Sequence, residues 1–310
     1  MMDAGAFYRP LFIIGNGFDR AHDLKTSYWH FKKWLMTHGR LDVIAELQSL
    51  FPAQQDGEFL LWSQFEKALT LYDKAAVEGW AWDSLYLAIE EEDGKETVTS
   101  GSILDTAISD IVRNCFSAWV NDIKINGMRI FDFDCCAKFI TFNYTETLER
   151  LYSIQADRIL HIHGKAHSDS KIIVGHRTTV DPLSGSFVNN NFKGNNNVIQ
   201  NLVDLADLYK PSEAIIEQNS VFFNSLKDID SVNVIGHSCS DVDKLYFEAI
   251  AANVRPDAKW LFCFFDERND RVNMEQLIDS IPLDRDRVSF RRTEEYIRSQ
   301  CGTVKGKRLR

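Results

Sequence analysis

The sequence lacks a membrane-spanning run, a secretion signal and the paired cysteines of a zinc module. No apolar stretch approaches the ~18 residues that a membrane span needs, and residues 1–10 contain no basic segment followed by an apolar one. The six cysteines show no CxxC spacing and mostly lie in apolar runs, which favours reduced, structural thiols over disulfides or zinc ligands. These absences predict a cytoplasmic protein with no metal and no membrane contact.

Positive charge is in deficit as well. The chain of 310 residues carries 35 Lys and Arg against 45 Asp and Glu, which gives a formal net charge of −10. A chain-wide attraction to nucleic-acid phosphates is therefore not supported. The one basic cluster lies near the carboxyl terminus, and we expect the tail at residues 302–310 to be a solvated end rather than a binding patch.

Apolar residues, in contrast, make up 45% of the chain, enough for a large core. Several apolar runs are too short for helices and predict buried strands: residues 11–14, 138–142, 159–163, 172–174, 232–235 and 260–265. Helical patterns, such as residues 212–227 and 241–253, lie between several of these runs. This alternation predicts an α/β fold with a doubly wound, mostly parallel sheet.

Two stretches interrupt the alternation. Residues 26–126 contain no convincing strand and show helical periodicity rich in aromatic residues. We therefore expect a large helical insertion after the first strand of a single domain that spans residues 1–310. Residues 177–201 are rich in Asn, Ser and Gly and are long for a connection, so a mobile lid and a plain disordered loop are both open.

Ligands of open parallel sheets bind beyond the carboxyl ends of the strands, so polar residues there are the first candidates. The first predicted strand ends in Gly15, Asn16, Gly17, Phe18 and Asp19. Two glycines permit a tight turn whose backbone N–H groups can approach a phosphate. The pattern departs from the dinucleotide-binding GxGxxG because Arg20 occupies the third glycine position, and a simple strand-to-helix turn stays equally open.

Asn143 follows the second predicted strand. It can cap the helix that begins there, with Glu146 three residues later completing a capping box. Alternatively, its amide faces a ligand or a water. Taken alone, the pattern favours capping.

The third predicted strand ends in a pair of histidines, His161 and His163, which period-2 alternation places on one face. Three hypotheses compete: a metal-binding pair, a catalytic histidine at the strand end, or two structural histidines. A metal would need further ligands, for which the candidates are Asp19, His22, His167 and His176.

The fourth predicted strand ends in Gly236, His237 and Ser238, and a helix opens shortly after. Ser240 and Asp243 fit a capping box at the start of that helix. Gly236 and Ser238 would then be able to face a ligand.

In this order, residues 15–19, 142–145, 162–164 and 236–238 followed by Asp243 resemble motifs of the bacterial abortive infection AbiH family. Residues 26–28 and Phe31 match as well. That family is similar to sirtuin-like domains, whose Rossmann-type sheet binds NAD. The resemblance implies a set of roles: Gly15 and Gly17 in the phosphate turn, Asn143 on ribose or water, His163 as catalytic base, and Gly236 with Ser238 as a late nucleotide contact.

The resemblance also places Asn16, Asp19, Thr145 and His237 in the NAD site, with Asp19 binding the ribose or stabilising positive charge. Without the CxxC pair, and with a helical insertion, the chain resembles the defence-type branch rather than protein deacetylases. This implies hydrolysis of NAD to nicotinamide and ADP-ribose, with a homo-oligomer or a phage-derived trigger as further partners. Two alternatives stay open: a nucleotide-sensing module without catalysis, and a metal hydrolase with His161 and His163 as ligands.

Overall fold

The computed structural model describes residues 8–49, 57–63, 65–68, 108–168, 172–175 and 210–306. The chain divides into two compact units. The first comprises residues 1–26, 120–172 and 211–310, and the second comprises residues 27–119 and 173–210. The predictions for the 177–201 loop and for His176 fall outside the described residues.

The first unit is built on a six-stranded parallel sheet. Its strands are β1 (Pro10–Ile14), β2 (Lys138–Thr141), β3 (Ile159–His161), β4 (Ser231–Ile235), β5 (Lys259–Phe264) and β6 (Val288–Arg292). Their order is β3-β2-β1-β4-β5-β6, with every adjacent pair parallel. This is the strand order of the Rossmann fold, in which the direction of winding reverses between β1 and β4. The predicted α/β fold with a parallel sheet is confirmed.

The helices occupy the connections and the second unit. In chain order they are α1 (Asn16–Ala21), α2 (Tyr28–Thr37), α3 (Leu41–Ser49), α4 (Gly57–Ser63), α5 (Phe65–Ala68), α6 (Ile108–Asp122), α7 (Thr147–Tyr152), α8 (Ser212–Gln218), α9 (Ser220–Asn224), α10 (Lys244–Asn253), α11 (Asp270–Ser280) and α12 (Thr293–Gly306). Short 3-10 turns lie at Ala156–Arg158, Asp241–Asp243 and Arg285–Arg287. None of the helices in the described part of the chain is long and apolar enough to cross a membrane.

Three boundaries differ from the predictions. Residues 172–175 form no strand although Ile172 and Val174 are buried, because a short apolar run alone does not distinguish a strand from another buried segment. The pattern at 212–227 forms two helices divided at Asn219, whose side-chain amide donates to the carbonyl of Ile215. Residues 302–306, expected in a solvated tail, continue α12.

The centre of the sheet explains the long apolar runs. All five residues of β1 are buried, as expected for a strand covered on both faces. On one face, Phe12 stacks on Phe139 of β2 at 5.4 Å between ring centroids, and both belong to a cluster that includes Phe18 and Tyr152. Full burial of each such side chain contributes about 1.5–3 kcal/mol to folding.

The cysteines divide into two classes. Cys115, Cys239 and Cys263 are buried and free, as the apolar runs around them predict. Cys135 and Cys136 are exposed. This adjacent pair is free but not buried, since its segment precedes β2 and lies at the surface rather than within the strand.

Within residues 27–119, the described residues of the second unit are helical except at residue 27 and residues 38–40. Residues 123–126, at the end of the predicted insertion, form no helix. Phe31 of α2 lies at the centre of the second unit, with its ring within 6.4 Å of the ring centroids of four other aromatic side chains: Trp62, Phe65, Phe116 and Trp119. Such aromatic packing explains why this stretch holds together without a sheet.

Candidate functional site

The loops that follow β1 and β4 touch each other where the strand order reverses. The N–H of Gly15 donates to the carbonyl of Ile235 at 3.0 Å, and the N–H of Gly17 donates to the carbonyl of Gly236 at 2.7 Å. A methyl group on Gly15 would lie 2.5 Å from the Cα of His237. These glycines are therefore explained by contact between two backbones of the protein.

Gly236 is constrained in two ways. Its φ of +65° lies in the left-handed region that side chains disfavour. An added Cβ would also approach the Phe18 amide and would lie 2.6 Å from the carbonyl carbon of Gly17. Glycine at this position thus fixes how closely the β4 loop approaches the β1 turn.

The turn offers fewer backbone donors than the sequence suggested. Besides the N–H groups of Gly15 and Gly17, the N–H of Phe18 is also used within the protein, where it donates to the carbonyl of Gly15 at 2.9 Å. Two predicted ligand-binding side chains, one in each of the two loops, lie at the surface. Asn16 is exposed and donates its amide to the Thr26 carbonyl at 3.0 Å, and Ser238 is exposed.

Asn143 joins the β2 loop to the β1 turn. Its side-chain amide donates to the carbonyl of Gly15 at 3.1 Å, and its side chain and backbone are 7% exposed. The cap of α7 is Glu146, so the interpretation of Asn143 as a helix cap is wrong. The asparagine is held by a residue 128 positions away rather than by its own helix.

A chain of hydroxyl groups leads from α7 to the carboxylate of Asp19. The hydroxyl of Thr145 donates to Oδ2 of Asp19 at 2.5 Å and lies 3.0 Å from the hydroxyl of Thr147. The hydroxyl of Thr145 has a single proton, which it donates to Asp19. The hydroxyl of Thr147 must therefore donate to the hydroxyl oxygen of Thr145. Asp19 is 1% exposed, and its Oδ1 has no hydrogen-bond partner within the described ranges.

Burial dominates the electrostatics of Asp19. Desolvation raises the pKa of this carboxyl from 3.8 to about 6, against the opposing effects of the nearby polar side chains of Thr145, Thr147 and Asn143 and of the charge of His161. A carboxyl held this way changes charge close to neutral pH. Perturbed buried acids of this kind are enriched at functional sites.

The two histidines of the third motif do not share a face. β3 ends at His161, and His163 lies in the turn that follows, next to Gly164 at φ +80°. The strand therefore stops before the alternation reaches His163, and the prediction of a common face is wrong. His161 uses both ring nitrogens on other groups: Nε2 lies 2.9 Å from the Glu149 carboxylate and Nδ1 3.2 Å from the Asn143 carbonyl.

His163 is buried among aromatic rings. Its ring centroid lies 5.4 Å from that of Phe142, 5.6 Å from that of Tyr246 and 6.4 Å from that of Tyr144, and the residue is 2% exposed. Phe142 contacts His237 as well, at 4.3 Å between centroids. One aromatic side chain thus links the loop after β3 to the loop after β4.

His237 is held at both nitrogens. Nδ1 accepts the backbone N–H of Cys239 at 2.9 Å, so the ring hydrogen lies on Nε2, which is 3.5 Å from the Asp243 carboxylate. Ser240 precedes the 3-10 turn but makes no side-chain capping bond, so the predicted capping box is absent. Asp243 orients His237 instead.

The described residues offer no ligand set for the metal-hydrolase alternative. Their one group of three potential metal ligands is Asp134, Cys135 and Cys136. Neither His161 nor His163 belongs to it. Since His161 is already paired with Glu149, a metal at this pair would have to break that contact.

Two further residues, Thr147 beside Asp19 and Tyr246 beside His163, were not indicated by the sequence pattern. Thr147 reads as an ordinary first residue of a helix, and Tyr246 reads as a core position of α10. The spacing of Tyr246 three residues after Asp243 is a helical one and could have indicated a shared face.

Comparison with known proteins identifies a family that this chain matches. The model of a family described as Bacteriophage abortive infection AbiH matches residues 11–264. That range contains all the predicted site residues and every strand except β6 in full or nearly so. No curated protein matches the chain.

Proposed function

The chain belongs to the bacteriophage abortive infection AbiH family, and on that premise we propose that it acts in phage defence by hydrolysing NAD to nicotinamide and ADP-ribose. The supporting observation is a buried polar cluster at the carboxyl ends of three strands. Asp19, Asn143 and His163 follow β1, β2 and β3, and each is at most 7% exposed. Sheets with this strand order bind dinucleotides at that edge.

The proposed reaction has three steps. Cleavage of the bond between nicotinamide and ribose leaves positive character on the ribose carbon, water adds to that carbon, and the added water loses a proton. Three side chains of the protein assist these steps. His163 accepts the proton, and Asn143 orients the water or the ribose hydroxyls. The Asp19 carboxylate stabilises the positive ribose carbon, which a buried anion does more strongly than an exposed one.

Some of the remaining predicted residues hold other parts of the site in place, and others contact the NAD phosphates. Thr145 holds Asp19, and His237 holds the β4 loop through Asp243. Because the N–H groups of Gly15 and Gly17 are used within the protein, we assign the phosphates to the exposed side chains of Asn16 and Ser238. The Asn16 amide has a second N–H beyond the one that it donates to Thr26.

Because the polar cluster is buried, we propose that the protein must be activated before NAD can enter the site. A substrate reaches His163 only after the surrounding loops open, since the residue is 2% exposed. We therefore expect little turnover from the resting protein and strong turnover after a phage-derived trigger or assembly into a homo-oligomer.

The test is a phage challenge of cells that produce the wild-type chain, His163→Ala or His38→Ala, with NAD, nicotinamide and ADP-ribose followed by mass spectrometry. We expect infected wild-type cells to lose NAD and to accumulate both products. His163→Ala should slow the loss by about 100-fold or more, the contribution of a general base. His38, an exposed residue at the end of α2, is the matched histidine control and should behave as wild type.

The outcomes separate the hypotheses. Wild-type cells that stop the phage while NAD stays constant would exclude hydrolysis and leave the defence role intact. Saturable NAD binding without turnover, even during infection, would instead indicate a nucleotide-sensing module. Unfolding temperatures of the purified variants establish that His163→Ala is folded.

A further inference from the structure

A second cluster of reactive side chains lies in the turn that precedes β2. Asp134, Cys135 and Cys136 are all exposed, and their potential ligand atoms lie within 4.8 Å of one another. Because the turn is at the amino end of β2, it belongs to the edge of the sheet opposite the candidate NAD site. The chemistry proposed above makes no use of it.

We propose that Asp134, Cys135 and Cys136 bind a thiophilic divalent cation of the zinc type. The thiol sulfurs of the two cysteines are 3.7 Å apart. Two thiolates on one tetrahedral zinc, with bonds of about 2.3 Å, lie about 3.8 Å apart. A disulfide would instead require the sulfurs to approach to about 2.05 Å.

The backbone of the turn is fixed independently of the thiols. The N–H of Ala137 donates to the carbonyl of Asp134 at 3.1 Å, and the N–H of Cys136 donates to Oδ1 of Asp134 at 2.9 Å. The guanidinium of Arg158 adds two bonds, to the carbonyls of Ala137 at 2.8 Å and of Asp134 at 3.1 Å. The backbone that carries the two sulfurs is therefore held in place by bonds that do not involve the thiols.

The donor set of two thiols and one carboxylate is of the type that binds zinc. Binding of a divalent cation releases the thiol protons, because the ligands must be deprotonated. With two sulfurs and one carboxylate oxygen as protein ligands, the fourth position of a tetrahedral cation is left for water.

The experiment uses the full-length reduced protein and Cd²⁺, a spectroscopic substitute for zinc whose bonds to thiolate give an ultraviolet charge-transfer band. We expect the band to saturate at one Cd²⁺ per chain, and Zn²⁺ to compete for the same site. Cys135→Ser and Cys136→Ser should each abolish the saturating band. Asp134→Asn, which keeps an oxygen for the N–H of Cys136, should weaken binding roughly 10-fold.

Asp132→Asn is the matched control, since Asp132 is an exposed carboxylate two residues away, and it should bind Cd²⁺ as the wild type does. An unchanged band in either serine variant would overturn the proposal, because other thiols would then suffice. Equal affinity in Asp134→Asn would remove the carboxylate from the ligand set. None of these readouts depends on NAD cleavage, so the proposal stands or falls separately from the proposed function.

Discussion

Gly236→Ala prevents stable folding of the first unit, whereas Gly39→Ala is tolerated. Both glycines have positive φ, +65° at Gly236 and +70° at Gly39. An alanine in that region costs about 1–2 kcal/mol by itself. A Cβ on Gly39 meets nothing within 4 Å, but a Cβ on Gly236 collides with the backbone of Gly17 and Phe18.

A small side-chain movement cannot remove the collision at Gly236, because the added Cβ meets backbone atoms rather than the flexible end of a side chain. The two loops would have to separate, with loss of the hydrogen bond from the Gly17 N–H to the Gly236 carbonyl. A cost above ~4 kcal/mol is a large part of the 5–15 kcal/mol that stabilises a typical domain. Soluble yield and urea denaturation of the two variants measure the difference, and equal midpoints would contradict the contact between the loops.

The second large effect concerns Asp19→Asn, which we expect to stabilise the protein at pH 7 while abolishing NAD cleavage. The folded protein holds the Asp19 proton more tightly than the unfolded chain does, since its pKa is about 6 against 3.8. The group's contribution to stability is therefore fullest below about pH 4 and declines as the pH rises through 6. At pH 7 the buried carboxylate costs on the order of 3 kcal/mol.

Asparagine removes that cost and can still accept the Thr145 hydroxyl through its carbonyl. The unfolding temperature of Asp19→Asn should exceed that of the wild type at pH 7. The difference should shrink toward pH 4, where the buried Asp19 side chain of the folded wild type is neutral, as the asparagine is. Asp132→Asn, at an exposed carboxylate, provides the control and should leave the profile unchanged. A pH-independent loss of stability in Asp19→Asn would mean that burial does not penalise this charge, and retained NAD cleavage would remove Asp19 from the reaction.

The grouping of the candidate residues followed from the sequence because parallel strands end at one edge of the sheet. Short apolar runs marked β1, β2, β3 and β4, and the polar residues after each run could be expected to meet. Their individual roles did not follow, because the contacts that decide them are distant. Asn143 fits a helix cap by local pattern, but its amide binds Gly15, 128 residues away.

The errors in the fold have similar causes. β6 was missed because its sequence, Val288–Arg292, is polar and partly exposed, as an edge strand paired on one side can be. The segment 172–174 has the apolar character of a strand but no place in the sheet. Burial of Asp19 and the hydroxyl chain through Thr147 depend on packing among separate elements, which local spacing does not encode.

The hydrogen bond between the Gly15 amide and the Ile235 carbonyl also determines when this part of the structure can form during synthesis. The two residues are roughly 220 positions apart, so at about 5–20 residues per second the first strand leaves the ribosome on the order of 10–40 s before its partner. Until then β1 has no β4 beside it, and the N–H groups of Gly15 and Gly17 lack the carbonyls of Ile235 and Gly236 that accept them. A chain that ends before β4 therefore cannot complete the contact between these two loops.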